Sequence, residues 1–150
     1  MTNYARELDD AQLAACLAEA AGRILLDVRG SGLIDGKALG DAGDETANQF
    51  LCHAIRHLRP DDGLLSEECK DTEERLSKER VWIIDPVDGT NNFAHRVPHF
   101  AVSVAYYHDG VAMCGVVTNP VRDDCYEAIK GQGAFHNGTR VHVGEKTGLD

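Results

Sequence analysis

The sequence predicts an α+β fold in which two N-terminal helices pack on a mostly antiparallel sheet. Apolar residues recur at helical spacing up to Pro60, whereas from Phe100 onward short alternating runs are separated by tight turns. Size and composition agree. A chain of 150 residues with 43% hydrophobic and 27% charged content suits one globular domain with a sizeable core.

Each element has its own signal. Asp9 or Asp10 caps a first helix whose apolar stripe is Leu13, Leu17, Ala20, Ile24 and Val28, and Gly30 and Gly32 end it. A polar, Gly-rich connection follows to about Gly43. Asp44 then caps a second helix that turns Ala47, Phe50, Leu51, Ala54, Ile55 and Leu58 inward, with Pro60 beyond its end. Leu64-Leu65-Ser66 and Val81 to Ile84 read as short buried strands. Phe100 to Tyr107 and Val111 to Thr118 flank His108-Asp109-Gly110, a hairpin signal. Asp124 to Ile129, Ala134 to His136 and Thr139 to Val143 complete an antiparallel series joined by Gly and Asn-Gly turns. There is no internal repeat and no low-complexity segment.

The chemistry concentrates in Trp82-Ile83-Ile84-Asp85-Pro86-Val87-Asp88-Gly89-Thr90-Asn91-Asn92-Phe93. An apolar run ends on two carboxylates, and Pro86 prevents the strand from simply running on. Asp85 and Asp88 can therefore converge, with the Val87 carbonyl between them as another oxygen donor. Gly89 permits positive φ or close backbone approach, and a short helix starting near Asn91 would favour an anion at its N-terminus. Carboxylates suit hard cations such as Mg²⁺, while free N–H groups and the Thr90 hydroxyl suit a phosphate oxyanion. Taken alone, these residue types also make an ordinary surface turn. A second apolar run, however, ends on Glu67 and Glu68. One of that pair reads as a solvated loop residue; the other brings a third carboxylate to one cavity, where divalent ions would relieve the repulsion.

Trp82 to His95 resembles the signature of the inositol monophosphatase family, the lithium-sensitive, Mg²⁺-dependent phosphatases. The resemblance continues through Gly115 to Pro120 and Lys130 to Gly138, so it covers about residues 20 to 143. It implies the N-terminal part of an αβαβα sandwich. It also implies Glu67, Asp85, the Val87 carbonyl and Asp88 as Mg²⁺ ligands, and Gly89 and Thr90 as the phosphate grip. Glu67, Thr90 and Asp44 become the catalytic group, Thr90 orienting the attacking water and Asp44 assisting a further metal or its water. Lys37 matches a lysine near that site. The reaction implied is hydrolysis of a small phosphate monoester, foremost inositol monophosphate, by metal-activated water.

Two features qualify the comparison. Gly36 to Asn48 and Asp61 to Glu68 look more like bacterial 3′(2′),5′-bisphosphate nucleotidases, which makes adenosine 3′,5′-bisphosphate the alternative substrate. Those enzymes typically place a basic residue and Glu after the Asp-Gly-Thr; Asn91-Asn92 stands here, as in inositol monophosphatases. Family members also continue for another domain-sized stretch with a metal-binding Asp in a Trp-Asp motif, and Trp82 is the one tryptophan of this sequence. The expected layout is thus residues 1–150 as a single metal- and phosphate-binding half without its C-terminal half. A third reading is a catalytically silent fragment that binds metal.

Charge and cysteine usage exclude other classes. A net charge of −10, with no basic run, disfavours nucleic acid and anionic membranes as partners. The expected partner is a small phosphorylated polyol or nucleotide, and a homodimer is compatible with such a protein. Five widely spaced cysteines without a C-x-x-C argue for reduced thiols and a cytoplasmic location. No secretory leader or membrane span is read from the sequence. His53 and His57, four apart on the second helix, lack the acid of a metal-binding helix motif. Ser66, Ser103 and Thr118 show no triad partners.

Overall fold

The computed structural model describes residues 8–148. Helix α1 (Asp10–Gly30) and helix α2 (Gly36–Leu58) precede strand β1 (Gly63–Ser66), a single 3₁₀ turn (Glu74–Ser77) and strand β2 (Arg80–Asp88). A short helix α3 (Thr90–Ala94) follows. Then come β3 (Ala101–His108), β4 (Val111–Asn119), β5 (Asp124–Ile129), β6 (Gly133–His136) and β7 (Thr139–Val141). The seven strands lie in chain order in one sheet. Among the described residues only β1 and β2 pair in parallel; every later neighbour pair is antiparallel, β3 returning beside β2 after α3 and the strands from β3 onward being joined by short turns that reverse the chain.

Asp9, not Asp10, caps α1. Its carboxylate accepts the Gln12 N–H at 2.8 Å while the Gln12 side chain accepts the Asp9 N–H at 3.1 Å, a reciprocal capping box. The buried stripe of α1 is Leu13, Ala14, Leu17, Ala18, Ala21, Gly22 and Leu25. The expected Ala20, Ile24 and Val28 lie only half-buried at its margin. Small residues sit at the centre of the contact because α1 lies directly on β3 and β4. Leu13, Leu17 and Leu25 meet Trp82, Ile84, Val102, Val104 and Val116 in one core.

The second helix corrects the sequence reading. It begins at Gly36, with Asp35 as its cap, so Asp44 lies in its interior and caps nothing. The glycines taken for a loop form its first turns. Gly40 and Gly43 are buried, and a Cβ at Gly43 would collide with the Phe93 ring of α3. A Cβ at Gly40 would stand 3.3 Å from Thr90 Cγ2. Glycine disfavours an isolated helix by about 1 kcal/mol per residue. Here it opens the groove in which α3 docks. The predicted inward residues Ala47, Leu51 and Ile55 are buried, and Phe50, Ala54 and Leu58 pack at the edge.

A polar anchor holds the start of β2 to the helices. Asp62, its side chain 5% exposed, accepts the Trp82 indole N–H at 2.9 Å and Arg80 Nε at 3.1 Å. Arg80 reaches on to Asp10 at 2.8 Å, and Arg59 binds the other oxygen of Asp10 at 3.0 Å. The predicted final strand ends earlier, at Val141 rather than Val143. Among the described residues, no helix is long and apolar enough to cross a membrane.

Candidate active site

Parallel pairing of β1 with β2 builds the site. Ser66 stands opposite Ile84, so the next residues of the two strands, Glu67 and Asp85, emerge side by side at the same sheet edge. The Glu67 N–H donates to the Ile84 carbonyl at 3.2 Å and fixes that register. An antiparallel pair would have sent the two acids to opposite ends. Beyond Asp85 the β2–β3 register shifts before Asp88 pairs with Ala101, a local irregularity that re-aims the chain.

Gly89 then adopts φ +88°, where a Cβ would lie 3.1 Å from the His99 carbonyl. Thr90 opens α3 immediately afterwards, one residue before the expected start. Packing of α3 on the glycine face of α2 brings Thr90 to Asp44. The Thr90 hydroxyl lies 3.0 Å from Asp44 Oδ1 and 3.1 Å from the Val87 carbonyl, so its single proton chooses between two acceptors. Segments far apart in sequence thereby meet: Asp44 from α2, Glu67 from the end of β1, and Asp85 to Thr90.

Charge crowding is visible in the acids. Burial, then the neighbouring Glu67 carboxyl, then Asp88, push Asp85 up to about 7. Burial raises Asp44 too, helped by Asp41 and Glu67 and opposed by the Thr90 hydroxyl. Glu68 is raised by burial and by Asp44 and Glu67. Glu68 therefore belongs electrostatically to the same acid group, although the sequence marked only one of the Glu pair for it. Lys37, exposed on α2, forms an ion pair with Asp41 at 2.6 Å.

A divalent cation fits these residues on one direct observation. Asp85 Oδ1 is buried and has no hydrogen-bond partner. Buried polar atoms are almost always satisfied, and an orphan carboxylate oxygen amid other acids is what a cation would satisfy. The donors are all oxygen, which suits a hard ion such as Mg²⁺ rather than zinc. Two other features lie elsewhere. A group whose ligand atoms all fall within 4.8 Å of one another is Glu79, His108 and Asp109, at the opposite end of β2. A hollow of about 370 Å³ between α1 and the β4–β5 turn contains none of the site acids. His53 and His57 are both exposed.

Sequence and fold both have known relatives. The model of the inositol monophosphatase family matches residues 7–150. The chain is 53% identical over 93 residues to a Mycobacterium leprae protein named 3′-phosphoadenosine 5′-phosphate phosphatase, covering 61% of this chain and 34% of that one. It is 41% identical over 106 residues to a Rhizobium meliloti inositol-1-monophosphatase, covering 71% of this chain and 40% of that one. The solved Thermotoga maritima IMPase superposes with a TM-score of 0.81 at 33% identity, over 95% of this chain and 56% of that one. The chain spans between about a third and a half of the length of the curated relatives it matches.

Proposed function

The chain belongs to the inositol monophosphatase family, and from that premise we propose that it carries the metal- and phosphate-binding half of a phosphomonoesterase for small phosphorylated metabolites. The observation that carries this reading is the buried, unpartnered Asp85 Oδ1 beside Glu67 at paired strand ends. Glu67, Asp85, the Val87 carbonyl and Asp88 would hold Mg²⁺. When bound, the ion would supply Lewis-acid polarisation of the phosphoryl group and acidification of a water.

The chain's own residues do the rest. Gly89 and Thr90 present backbone N–H groups to a phosphoryl oxygen where positive φ keeps the chain close. Asp44 accepts the hydrogen bond of the Thr90 hydroxyl, which leaves the hydroxyl oxygen's lone pairs to accept a hydrogen bond from the attacking water and orient it. Glu67 is the additional carboxylate beside that water. These residues stand on strand ends and helices rather than on long loops, so the arrangement is preorganised. In this reading residues 1–150 form a single domain, the reducing cytoplasm is its location, and a further half would complete the enclosure of the substrate.

Two substrates divide the assignment. Asn91-Asn92 after the Asp-Gly-Thr favours inositol monophosphate or a similar polyol phosphate. The 53% identical relative favours the 3′-phosphate of adenosine 3′,5′-bisphosphate. Phosphate release from both, measured with and without Mg²⁺, separates the two. Asp88→Asn should abolish turnover of whichever is cleaved. Silence on both substrates in the presence of Mg²⁺ would reject the enzyme reading for this chain and leave a metal-binding fragment.

A further inference from the structure

Two cysteines from separate elements meet beside the Glu67–Glu68 turn. Cys52 is buried on α2, and Cys69 is exposed just after β1. Both sulfurs engage one side-chain amide. Cys52 Sγ donates to Asn48 Oδ1 at 3.4 Å, and Asn48 Nδ2 donates to Cys69 Sγ at 3.2 Å. Asn48 Oδ1 also accepts the Ser66 hydroxyl at 2.6 Å, so the amide ties the end of β1 to α2. Cys52, Ser66 and Cys69 also line one small cavity of about 50 Å³.

We propose that Cys52 and Cys69 form an oxidisable dithiol whose disulfide fastens the turn carrying Glu67 and Glu68 to helix α2. The other three cysteines offer no comparable arrangement: Cys16 is exposed on α1, Cys114 is buried in β4, and Cys125 is half-buried in β5. The oxidant required is a small-molecule disulfide such as glutathione disulfide. Cys69, exposed to solvent, attacks one oxidant sulfur as its thiolate, forms a mixed disulfide and releases one thiolate. Cys52 then attacks the Cys69 sulfur, forms the internal disulfide and releases the second thiolate. Two protein thiols are oxidised, one external disulfide is reduced to two thiols, and the two protons pass to those products. Burial and the adjacent Cys69 push the Cys52 thiol up to about 11, which makes it the resolving rather than the attacking group. A reversible bridge of this kind has the character of a redox-sensing disulfide in a reducing compartment.

The test is incubation of the folded chain with glutathione disulfide at about pH 8, followed by alkylation and peptide mapping. A Cys52–Cys69 crosslinked peptide is expected, with Cys114 still alkylatable only after unfolding. Cys52→Ser should stop at one glutathione on Cys69, and Cys69→Ser should leave Cys52 unmodified. Accumulation of the mixed disulfide on Cys69 in the native chain, or free Cys52 and Cys69 after oxidation of Cys16, would overturn the proposal.

Discussion

Asp85→Asn removes the charge that the fold confines beside Glu67 and Asp88 while keeping the side chain's shape. Asp85 titrates at about 7 against an ordinary 3.8. Its folded-state value is raised, so its favourable contribution to folding is fully present below 3.8 and is lost as pH rises to about 7. Above that, the ionised carboxylate opposes folding in full. At about 1.4 kcal/mol per tenfold proton affinity, the gap corresponds to at most ~4 kcal/mol. Partial solvent access and sharing of the proton with Glu67 reduce this, and we expect about 1–2 kcal/mol. Urea unfolding of metal-free protein, followed by the fluorescence of Trp82, reads the difference directly. The Asn variant should be more stable at pH 8, and its advantage should shrink steadily toward pH 5. Saturating Mg²⁺ should invert the order, because ligand at about a hundred times Kd stabilises the wild-type site by ~2.7 kcal/mol. An Asn variant that is less stable than wild type at pH 8 without metal, or that gains equally from Mg²⁺, would refute the reasoning.

Three further outcomes follow from the same geometry. Thr90→Ala should lower kcat by roughly 10²-fold or more, whereas Thr90→Ser, which keeps the hydroxyl 3.0 Å from Asp44, should stay within about tenfold in a phosphate-release assay. Gly43→Ala should cost about 1–3 kcal/mol in urea unfolding because its methyl meets the Phe93 ring, while Gly115→Ala, with nothing near its Cβ, should change stability by less than about 0.5 kcal/mol. Asp62→Ala strands the Trp82 indole N–H and one face of Arg80. Discounted for the 38% exposure of Arg80, the loss should be about 2–3 kcal/mol by the same measurement.

The acids of β2 could be found in sequence because a β-favouring run leads straight into Asp85-Pro86-Val87-Asp88; the strand itself does not stop at Pro86 as expected but runs through it to Asp88, with its register to β3 shifted between the two acids. The hairpins were legible too, since Asp109-Gly110 and Asn137-Gly138 dictate reversals through positive φ. The start of α2 was not legible. Gly36, Gly40 and Gly43 carry a local signal against helix, and the compensating contact with Phe93 comes from residues fifty positions later. Asp44 was named through family resemblance, yet its role as a helix cap was wrong, because helix boundaries depend on what the helix packs against. The local signal at Glu67-Glu68 marked one acid where the fold brings both close to Asp44, and the Asp10–Arg59–Arg80–Asp62 anchor has no local signature at all.

Local chemistry in the sequence thus determined which groups are present: a carboxylate pair around a proline, a Gly-Thr turn, and a further acid at the end of a short strand. Whether they meet was a tertiary decision. Parallel register between β1 and β2 puts Glu67 beside Asp85, and a glycine face on α2 lets α3 carry Thr90 to Asp44. Strand direction and close packing between segments distant in the chain are set by the shared core, and no window of local residues contains that information.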